Sequence, residues 1–249
     1  MNKKVALVTG AAAGIGAACA KRIAQDGAMI GVLDLDEARC GDTVKAIVAA
    51  GGKAVALGAD VSKRDQVQRA VKKCREALGP ITIVVNNAGV TDFTPFEQVT
   101  EDLWNLVYRV NVLGTFIVTQ EVLPDMKAAK WGRIVNISSS SAQTGSNTMA
   151  TYSSSKGAIV TFTRSLAQEL GPLGITVNNV APGSIMGTIM SEANRDRFQF
   201  PPEQLTKTLP VRRLGEPADL ANAVAWLCLE ATSYFTGQTV GVNGGRVVT

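Results

Sequence analysis

The chain has 249 residues, enough for one large α/β domain with a buried core. Hydrophobic residues make up 46% of it and charged residues 18%, which excludes an intrinsically disordered chain. The net charge is +4 and the charges form no run of one sign, so we expect no nucleic-acid partner. The first apolar segment is too short for a signal peptide, and we expect no membrane-spanning stretch and a cytoplasmic location.

Histidine is absent from the sequence. Its absence excludes a Ser-His-Asp hydrolase, a histidine-ligated zinc site and every imidazole base. The four cysteines lie far apart without any CxxC spacing, so we expect reduced core thiols and no metal site. Proton transfer in an enzyme of this sequence would therefore depend on Tyr, Lys, Asp, Glu or Cys.

Short apolar segments alternate with amphipathic segments along the whole chain. The predicted strands, in chain order, cover residues 5–8, 29–33, 54–57, 81–85, 133–137, 175–180 and 239–242. The predicted helices lie between them, at residues 15–26, 37–50, 64–78, 101–126, 152–170 and 218–229. Apolar strands joined through helices predict a parallel sheet with helices on both faces. We therefore predict an α/β fold: one doubly wound, Rossmann-type domain of about seven strands over residues 1–249, with a substrate lid at about 184–210.

The first strand-to-helix turn, residues 9–16, is rich in glycine and contains Gly10, Gly14 and Gly16. Glycines allow a tight turn and let backbone N–H groups approach a pyrophosphate at the start of the next helix. Such turns also occur for purely structural reasons, so the turn favours a dinucleotide site without requiring one.

Asp34 ends the second predicted strand. A carboxylate at this place can accept hydrogen bonds from ribose hydroxyls and would repel a 2′-phosphate. Asp36 is the better candidate for capping the next helix. Neither Ala13 nor Leu35 offers a basic side chain for a 2′-phosphate, so NAD is the predicted cofactor and NADP is less favoured.

Tyr152 and Lys156 lie one turn apart on the same face of a predicted helix. A free tyrosine has a pKa of about 10, and an adjacent ammonium would favour the phenolate and lower that pKa. Ser139 follows a buried strand, at the edge where parallel sheets bind ligands. A Tyr–Lys pair alone would equally suit a solvent-exposed helix face, but together with Ser139 it predicts an acid–base site.

With these motifs in place, the chain resembles a short-chain dehydrogenase/reductase over essentially its whole length. The residues that carry the resemblance follow in the family's order: the turn at 9–16, Asp60 and Val61, Asn86 to Gly89, Asn111, Ser139, Tyr152 and Lys156, Pro182 and Gly183, and Val242 to Gly245. So many motifs in one order make the resemblance specific.

The resemblance implies a role for each matching residue. Ser139 would orient the substrate carbonyl or hydroxyl, and Tyr152 would be the acid/base. Lys156 would hold the nicotinamide ribose, and Asn111 would anchor a water of the proton relay. The other implied cofactor contacts are Gly10, Ala13, Gly14, Ile15, Gly16, Asp34, Asp60, Val61, Asn87, Ala88, Gly89, Pro182, Gly183 and Ile185. The resemblance also implies a homotetramer that packs through the helices at 101–126 and 152–170.

The predicted activity is hydride transfer between NAD(H) and a small secondary alcohol or ketone. The candidate substrate contacts are Ser139, Gln143, Met186 and Met190. Two alternatives remain open: a reductase of 3-oxoacyl thioesters on an acyl carrier protein or CoA, using NADPH or NADH, and a catalytically silent nucleotide-sensing regulator. Leu173 weakens the carrier-protein alternative, since reductases of that kind commonly have a basic residue before the glycine corresponding to Gly174.

Overall fold

The computed structural model describes residues 1–188, 191–192 and 202–248. Seven parallel strands form one sheet in the order β3-β2-β1-β4-β5-β6-β7. The strands are β1 Val5–Thr9, β2 Met29–Asp34, β3 Ala54–Gly58, β4 Ile81–Asn86, β5 Gly132–Ile137, β6 Ile175–Pro182 and β7 Thr239–Val242. The order reverses between β1 and β4, and a doubly wound sheet binds its ligand at the carboxyl ends of the strands beside such a reversal. The predicted fold class is confirmed.

The helices cover both faces of the sheet. They are α1 Gly14–Gln25, α2 Gly41–Ala49, α3 Arg64–Leu78, α4 Glu101–Tyr108, α5 Gly114–Ala129, α6 Ser141–Thr144, α7 Ala150–Leu170, α8 Pro202–Thr208 and α9 Pro217–Leu227. The helix predicted at 37–50 is a 3-10 turn, Glu37–Cys40, followed by α2. The stretch at about 184–210, predicted to be a substrate lid, contains α8, and Ile185 pairs with Gly215.

Strand residues alternate between two hydrophobic cores. On β1, Ala6 and Val8 pack in the core beneath α1, α2 and α9, whereas Val5 and Leu7 pack in the core beneath α3, α5 and α7. All five residues of β1 are buried because each face of the strand is covered. This double burial explains why the strands are apolar throughout and do not alternate with polar residues.

The long helix predicted at 101–126 is interrupted in its middle. A π-helical turn, Arg109–Leu113, joins α4 to α5. Asn111 lies in this turn and is buried. Single π turns inside helices occur frequently at functional sites, and here the turn brings an amide side chain towards the carboxyl ends of the strands.

Among the described residues, one helical run is long and apolar enough to cross a membrane by length and composition: Glu101–Ala129, with 29 residues and a mean hydropathy of 1.2. The expectation that no stretch would reach this length was therefore wrong. Its most apolar window is 44% buried inside the protein, where α5 packs on the sheet. The 29 residues of this run are α4, the π turn and α5 together.

Candidate active site

The glycine turn between β1 and α1 lies at the carboxyl edge of the sheet. Gly10 and Gly14 have φ values of 63° and 57°, a region that residues with a side chain rarely adopt. A Cβ atom on Gly16 would lie 2.1 Å from the backbone oxygen of Gly10. α1 begins at Gly14; its N-cap residue, Ala13, makes no side-chain cap, and the first turn has no acidic residue. The N–H groups of that turn are therefore available to an anion, which is what a pyrophosphate requires.

Asn87 and Thr9 connect the glycine turn to the end of β4. The Asn87 side-chain amide donates to the backbone oxygens of Thr9 and Gly10, at 3.0 and 3.1 Å. The Thr9 hydroxyl accepts from the backbone N–H groups of Asn87 and Ala88, both at 3.0 Å. These bonds fix the two loops that flank the reversal of strand order, where the family's cofactor would lie.

Asp34 ends β2 beside the glycine turn. Its carboxylate accepts from the N–H of Ala12 at 3.1 Å and from the N–H of Leu35 at 2.9 Å. Arg39 lies on the following 3-10 turn, with its guanidinium 3.6 Å from the same carboxylate. Asp36 caps that turn through Ala38, as expected of it. The structure thus places a cation near Asp34, at neither of the two positions, 13 and 35, whose side chains favoured NAD.

Asp60 and Val61 follow β3, next to Asp34. The N–H of Ala59 donates to the backbone oxygen of Asp34 at 2.9 Å. The Asp60 carboxylate accepts from the N–H and the hydroxyl of Ser62, at 2.9 and 2.7 Å, and so closes a local turn. Val61 is buried against Gly114 of α5. Both residues lie at the carboxyl edge of the sheet, where the resemblance implies cofactor contacts.

Ser139, Tyr152 and Lys156 meet at the carboxyl end of β5. The Ser139 side chain forms a hydrogen bond with the Tyr152 hydroxyl. Ser141 donates to Ser139 Oγ from its N–H at 3.1 Å and from its hydroxyl at 2.9 Å. Lys156 Nζ donates to the backbone oxygen of Ile137 at 2.9 Å and lies 5.7 Å from the centre of the Tyr152 ring. The three predicted side chains are therefore brought together.

Burial controls the ionisation of this group. Burial raises the pKa of Tyr152 to about 12, and the hydrogen bond with Ser139 opposes the rise. Burial also lowers the pKa of Lys156 to about 8. The expectation was that the neighbouring ammonium would lower the tyrosine pKa, together with a positively charged nicotinamide; in the protein by itself, the desolvation of the phenolate raises that pKa instead. The protein's own groups favour the neutral phenol.

Asn111 is held by a set of hydrogen bonds. Its Nδ2 donates to the backbone oxygen of Val90 and to the hydroxyl of Ser155, both at 3.0 Å, and its Oδ1 accepts from the N–H of Val90 at 2.8 Å. A Cβ on Gly89 would lie 3.1 Å from Asn111 Oδ1 and 3.3 Å from Lys156 Nζ. Asn111 and Lys156 therefore face each other across Gly89, and the water relay expected there stays a prediction.

The strand β6 supplies the opposite wall. Pro182 ends β6, and the N–H of Gly183 donates to the backbone oxygen of Val242 at 3.1 Å. A Cβ on Gly183 would lie 2.8 Å from Cα of Asn243, so the two loops pack tightly. Ile185 is partly buried beside the core under α1. These placements agree with a cofactor wall at this edge.

The expected substrate contacts are less closely grouped. Gln143 is exposed on α6, and the N–H of Met186 donates to the backbone oxygen of Gly215 at 2.9 Å. Met190 and most of the predicted lid lie outside the described residues. Thr188 packs beside Gly14. A Cβ on that glycine would lie 3.4 Å from the threonine Cβ.

Several supporting residues escaped the sequence interpretation. Ser141 follows Ser139 at a spacing of two, and Ser155 precedes Lys156; both lie in serine runs that gave no reason to single them out. Arg39 and Asp92 carried no motif. Burial raises the pKa of all four cysteine thiols, and among the described residues no three His, Cys, Asp or Glu side chains group as metal ligands.

Comparison with known proteins agrees with this arrangement. The sequence model of the family described as short chain dehydrogenase matches residues 4–198. The chain is 38% identical to nodulation protein G of Azospirillum brasilense, over 98% of each chain. It is 39% identical to the (2S)-[(R)-hydroxy(phenyl)methyl]succinyl-CoA dehydrogenase subunit BbsD of Thauera aromatica, over 99% of this chain and 97% of the relative.

Two further relatives extend the comparison. The chain is 37% identical to the 3-oxoacyl-[acyl-carrier-protein] reductase FabG of Aquifex aeolicus, over 98% of each chain. A crystal structure from Sinorhizobium meliloti 1021, described as a short-chain alcohol dehydrogenase, superposes with a TM-score of 0.93 at 32% identity. It covers 99% of this chain, and this chain covers 97% of it.

Proposed function

Because the chain belongs to the short-chain dehydrogenase/reductase family of nicotinamide-dependent oxidoreductases, we propose that it transfers a hydride between NAD(H) and a secondary alcohol or ketone, with Tyr152 as the acid/base. The observation that carries the proposal is the contact of Ser139 with Tyr152 beside the buried ammonium of Lys156. These three side chains can orient a carbonyl and move a proton to its oxygen. The intact set argues against a catalytically silent regulator.

In the reducing direction, a bound nicotinamide supplies a hydride to the carbonyl carbon. The Ser139 hydroxyl donates a hydrogen bond to the carbonyl oxygen and holds it towards Tyr152. Tyr152 gives its phenolic proton to that oxygen as negative charge develops there. The raised pKa of Tyr152 favours the protonated form that this step needs. Lys156 would donate to the nicotinamide ribose and place positive charge beside the phenolate that remains.

Asp34 supports NAD as the preferred cofactor. Its carboxylate lies beside the glycine turn and is held there by the N–H of Ala12. The oxygens can accept hydrogen bonds from the ribose hydroxyls, and their charge would repel a 2′-phosphate. The uncapped start of α1 would hold the pyrophosphate.

A second candidate function is the reduction of a 3-oxoacyl thioester. The relatives named as 3-oxoacyl-carrier-protein reductases and as a CoA-thioester dehydrogenase favour it. Arg39 also favours it, because a guanidinium near Asp34 could pair with the 2′-phosphate of NADPH. Leu173, in a place where a carrier protein would prefer a cation, opposes it.

The decisive experiment is cofactor-resolved turnover. The purified protein is given NADH or NADPH with aryl ketones, aliphatic ketones, diketones and a 3-oxoacyl-CoA, and the loss of reduced nicotinamide is followed. Preference for NADH with a free ketone supports the proposal. Preference for NADPH with the thioester supports the second candidate. Binding of the nucleotide without turnover of any substrate would contradict both.

Asp34→Ala tests the cofactor assignment. We expect the NADH dissociation constant to rise about 10- to 100-fold, since a hydrogen bond to a charged group contributes about 1.5–3 kcal/mol. Asp36→Ala is the matched control, because Asp36 caps the neighbouring turn and should leave NADH affinity nearly unchanged. Equal affinities in the two variants would contradict the role of Asp34. The measurement is quenching of protein fluorescence by NADH.

We also propose a cytoplasmic homotetramer. Large apolar side chains are exposed along the helical run from α4 to α5: Trp104, Leu106, Leu113 and Phe116. Exposed large apolar side chains are the kind of surface that a subunit interface covers. The partners would be copies of the same chain, together with the small-molecule substrate.

A further inference from the structure

β6 carries a buried polar side chain on the face that packs beneath α3, α5 and α7. On this face Ile175 and Val177 belong to the hydrophobic core, and Asn179 follows at the same spacing of two. Asn179 is 0% exposed. Burial of a polar side chain in an apolar position is costly unless hydrogen bonds compensate for it. Asn179 therefore requires an explanation, and the proposed mechanism gives it no role.

The Asn179 amide connects β6 to both neighbouring strands. Its Nδ2 donates to the hydroxyl of Ser138, directly after β5, at 2.7 Å, and to the hydroxyl of Thr239, at the start of β7, at 3.3 Å. Among the described residues, Asn179 Oδ1 has no hydrogen-bond partner. The two donated bonds therefore stabilise this side chain, and the shorter of them is the bond to Ser138.

Ser138 directly precedes the candidate active-site residue Ser139. The N–H of Ser138 donates to the backbone oxygen of Val180 at 2.9 Å, and the N–H of Ser140 donates to that of Pro182 at 2.8 Å. The backbone on both sides of Ser139 therefore continues the pairing of β5 with β6 beyond the end of β5. A side-chain bond to Ser138 acts on the residue next to Ser139, from the buried interior of the sheet.

We propose that Asn179 is a positioning residue for Ser139: it holds the Ser138 hydroxyl and so fixes the backbone from which Ser139 reaches Tyr152. In the proposed mechanism the Ser139 hydroxyl orients the substrate oxygen, and a small misplacement of such a group lowers the rate. Loss of the contact should therefore reduce kcat. The glycine turn and Asp34 lie at the ends of β1 and β2, so the NADH dissociation constant should stay nearly unchanged.

Two substitutions remove the contact from its two sides. Asn179→Leu replaces the amide with an apolar side chain of similar shape and also removes the unpartnered oxygen, so Tm should stay nearly unchanged. Ser138→Ala removes the acceptor. We expect each change to lower kcat about tenfold, as for the loss of one hydrogen bond, with the ketone or thioester that the wild type reduces. The double variant should lose no more than either single variant, because both changes remove the same contact.

Ser139→Ala shows whether the effect passes through Ser139. In that background Asn179→Leu should cause no further loss in single-turnover rate, whereas a general loosening of the sheet would lower the rate again. Thr239→Val is the matched control, because it removes the longer bond of the same amide and keeps the shape of the side chain. Its kcat should equal that of the wild type.

This inference rests on the proposed function, so one measurement must not depend on turnover: amide hydrogen exchange of the peptide that covers residues 137–142. Asn179→Leu and Ser138→Ala should exchange about tenfold faster there, as for the loss of one hydrogen bond, and Thr239→Val at the wild-type rate. Unchanged kcat or exchange in Asn179→Leu, additive losses in the double variant, or an equal loss in Thr239→Val would each overturn the proposal. If exchange responds as expected but the wild type reduces no ketone or thioester, the contact is supported and the proposed function fails.

Discussion

At the scale of single residues, burial dominates the candidate site. Tyr152 and Lys156 lie within one turn of each other, yet burial moves their pKa values in opposite directions, to about 12 and about 8. Both shifts favour the neutral form of the side chain. The site is therefore prepared to donate a proton from a phenol, and oxidation would need further positive charge to favour the phenolate.

Tyr152→Phe tests the acid–base role. The change removes the hydroxyl and keeps the ring, so kcat should fall by about 100- to 10,000-fold, the usual contribution of a positioned acid or base. Binding of NADH, measured by fluorescence, should be nearly unchanged. Tyr108→Phe is the control, because Tyr108 stacks on Trp104 and the proposed mechanism gives its hydroxyl no role, so its change should leave kcat intact. Retained turnover in Tyr152→Phe would exclude the proposed mechanism.

Lys156→Met tests the buried ammonium through the pH dependence of stability. The folded wild type releases the Lys156 proton near pH 8, whereas the unfolded chain keeps it until about pH 10.4. Between these values the unfolded state binds more protons, so the stability of the wild type rises with pH relative to the variant. The Tm of Lys156→Met minus that of the wild type should therefore fall from pH 8 to pH 10 in thermal scans. A constant difference would refute the lowered pKa.

At the scale of elements, function depends on how helices begin. α1 starts at a glycine turn that leaves its N–H groups open, and α7 also starts without a side-chain cap. The π turn between α4 and α5 positions Asn111, whose side-chain amide donates to the backbone oxygen of Val90 and to the hydroxyl of Ser155. The places where these helices begin or change pitch thus determine where backbone N–H groups and the Asn111 amide lie.

Gly16→Ala tests the packing of the glycine turn. A Cβ at this position would lie 2.1 Å from the backbone oxygen of Gly10 and 2.6 Å from the amide nitrogen of Asn87, so the turn must open. We expect NADH affinity to fall at least about tenfold and Tm to drop, as for other overpacked sites. Gly41→Ala is the control, because nothing lies within 4 Å of its Cβ position. Unchanged NADH affinity in Gly16→Ala would show that the turn is not part of the cofactor site.

At the scale of the whole molecule, the sheet gathers residues that are distant in sequence. The reversal of strand order between β1 and β4 brings the glycine turn, Asn87 and the carboxyl end of β5 to one edge. The outer face of α4 and α5, in contrast, leaves large apolar side chains uncovered. The candidate active site thus lies at the carboxyl edge of the sheet, and the proposed subunit interface lies on α4 and α5.

Leu106→Glu tests the proposed tetramer. Leu106 is 40% exposed on α4, and a buried carboxylate in a subunit interface should shift the mass in light scattering towards smaller species. Val48→Glu is the control, since Val48 is 54% exposed on α2, on the other side of the sheet. A variant Leu106→Glu with the wild-type mass would contradict an interface at this face.

The fold and the central site were predictable from sequence for a physical reason. Strand positions followed from apolar segments, and helix positions from their periodicity, because both faces of the sheet are buried. Tyr152 and Lys156 are separated by one helical turn, so their proximity is a local property. The π turn could not be predicted, since the apolar residues on both sides of it fit the period of one continuous helix.

By itself, the sequence determined the fold class, the glycine turn and the family's catalytic side chains, because these depend on local periodicity and on residue types in a recognisable order. Tertiary structure alone decided which distant groups meet. It placed Asn87 on the glycine turn, Asn111 on Ser155 and Ser139 beside Tyr152. It also decided the pKa of Tyr152, because desolvation depends on how the folded chain surrounds a group and no sequence spacing records that.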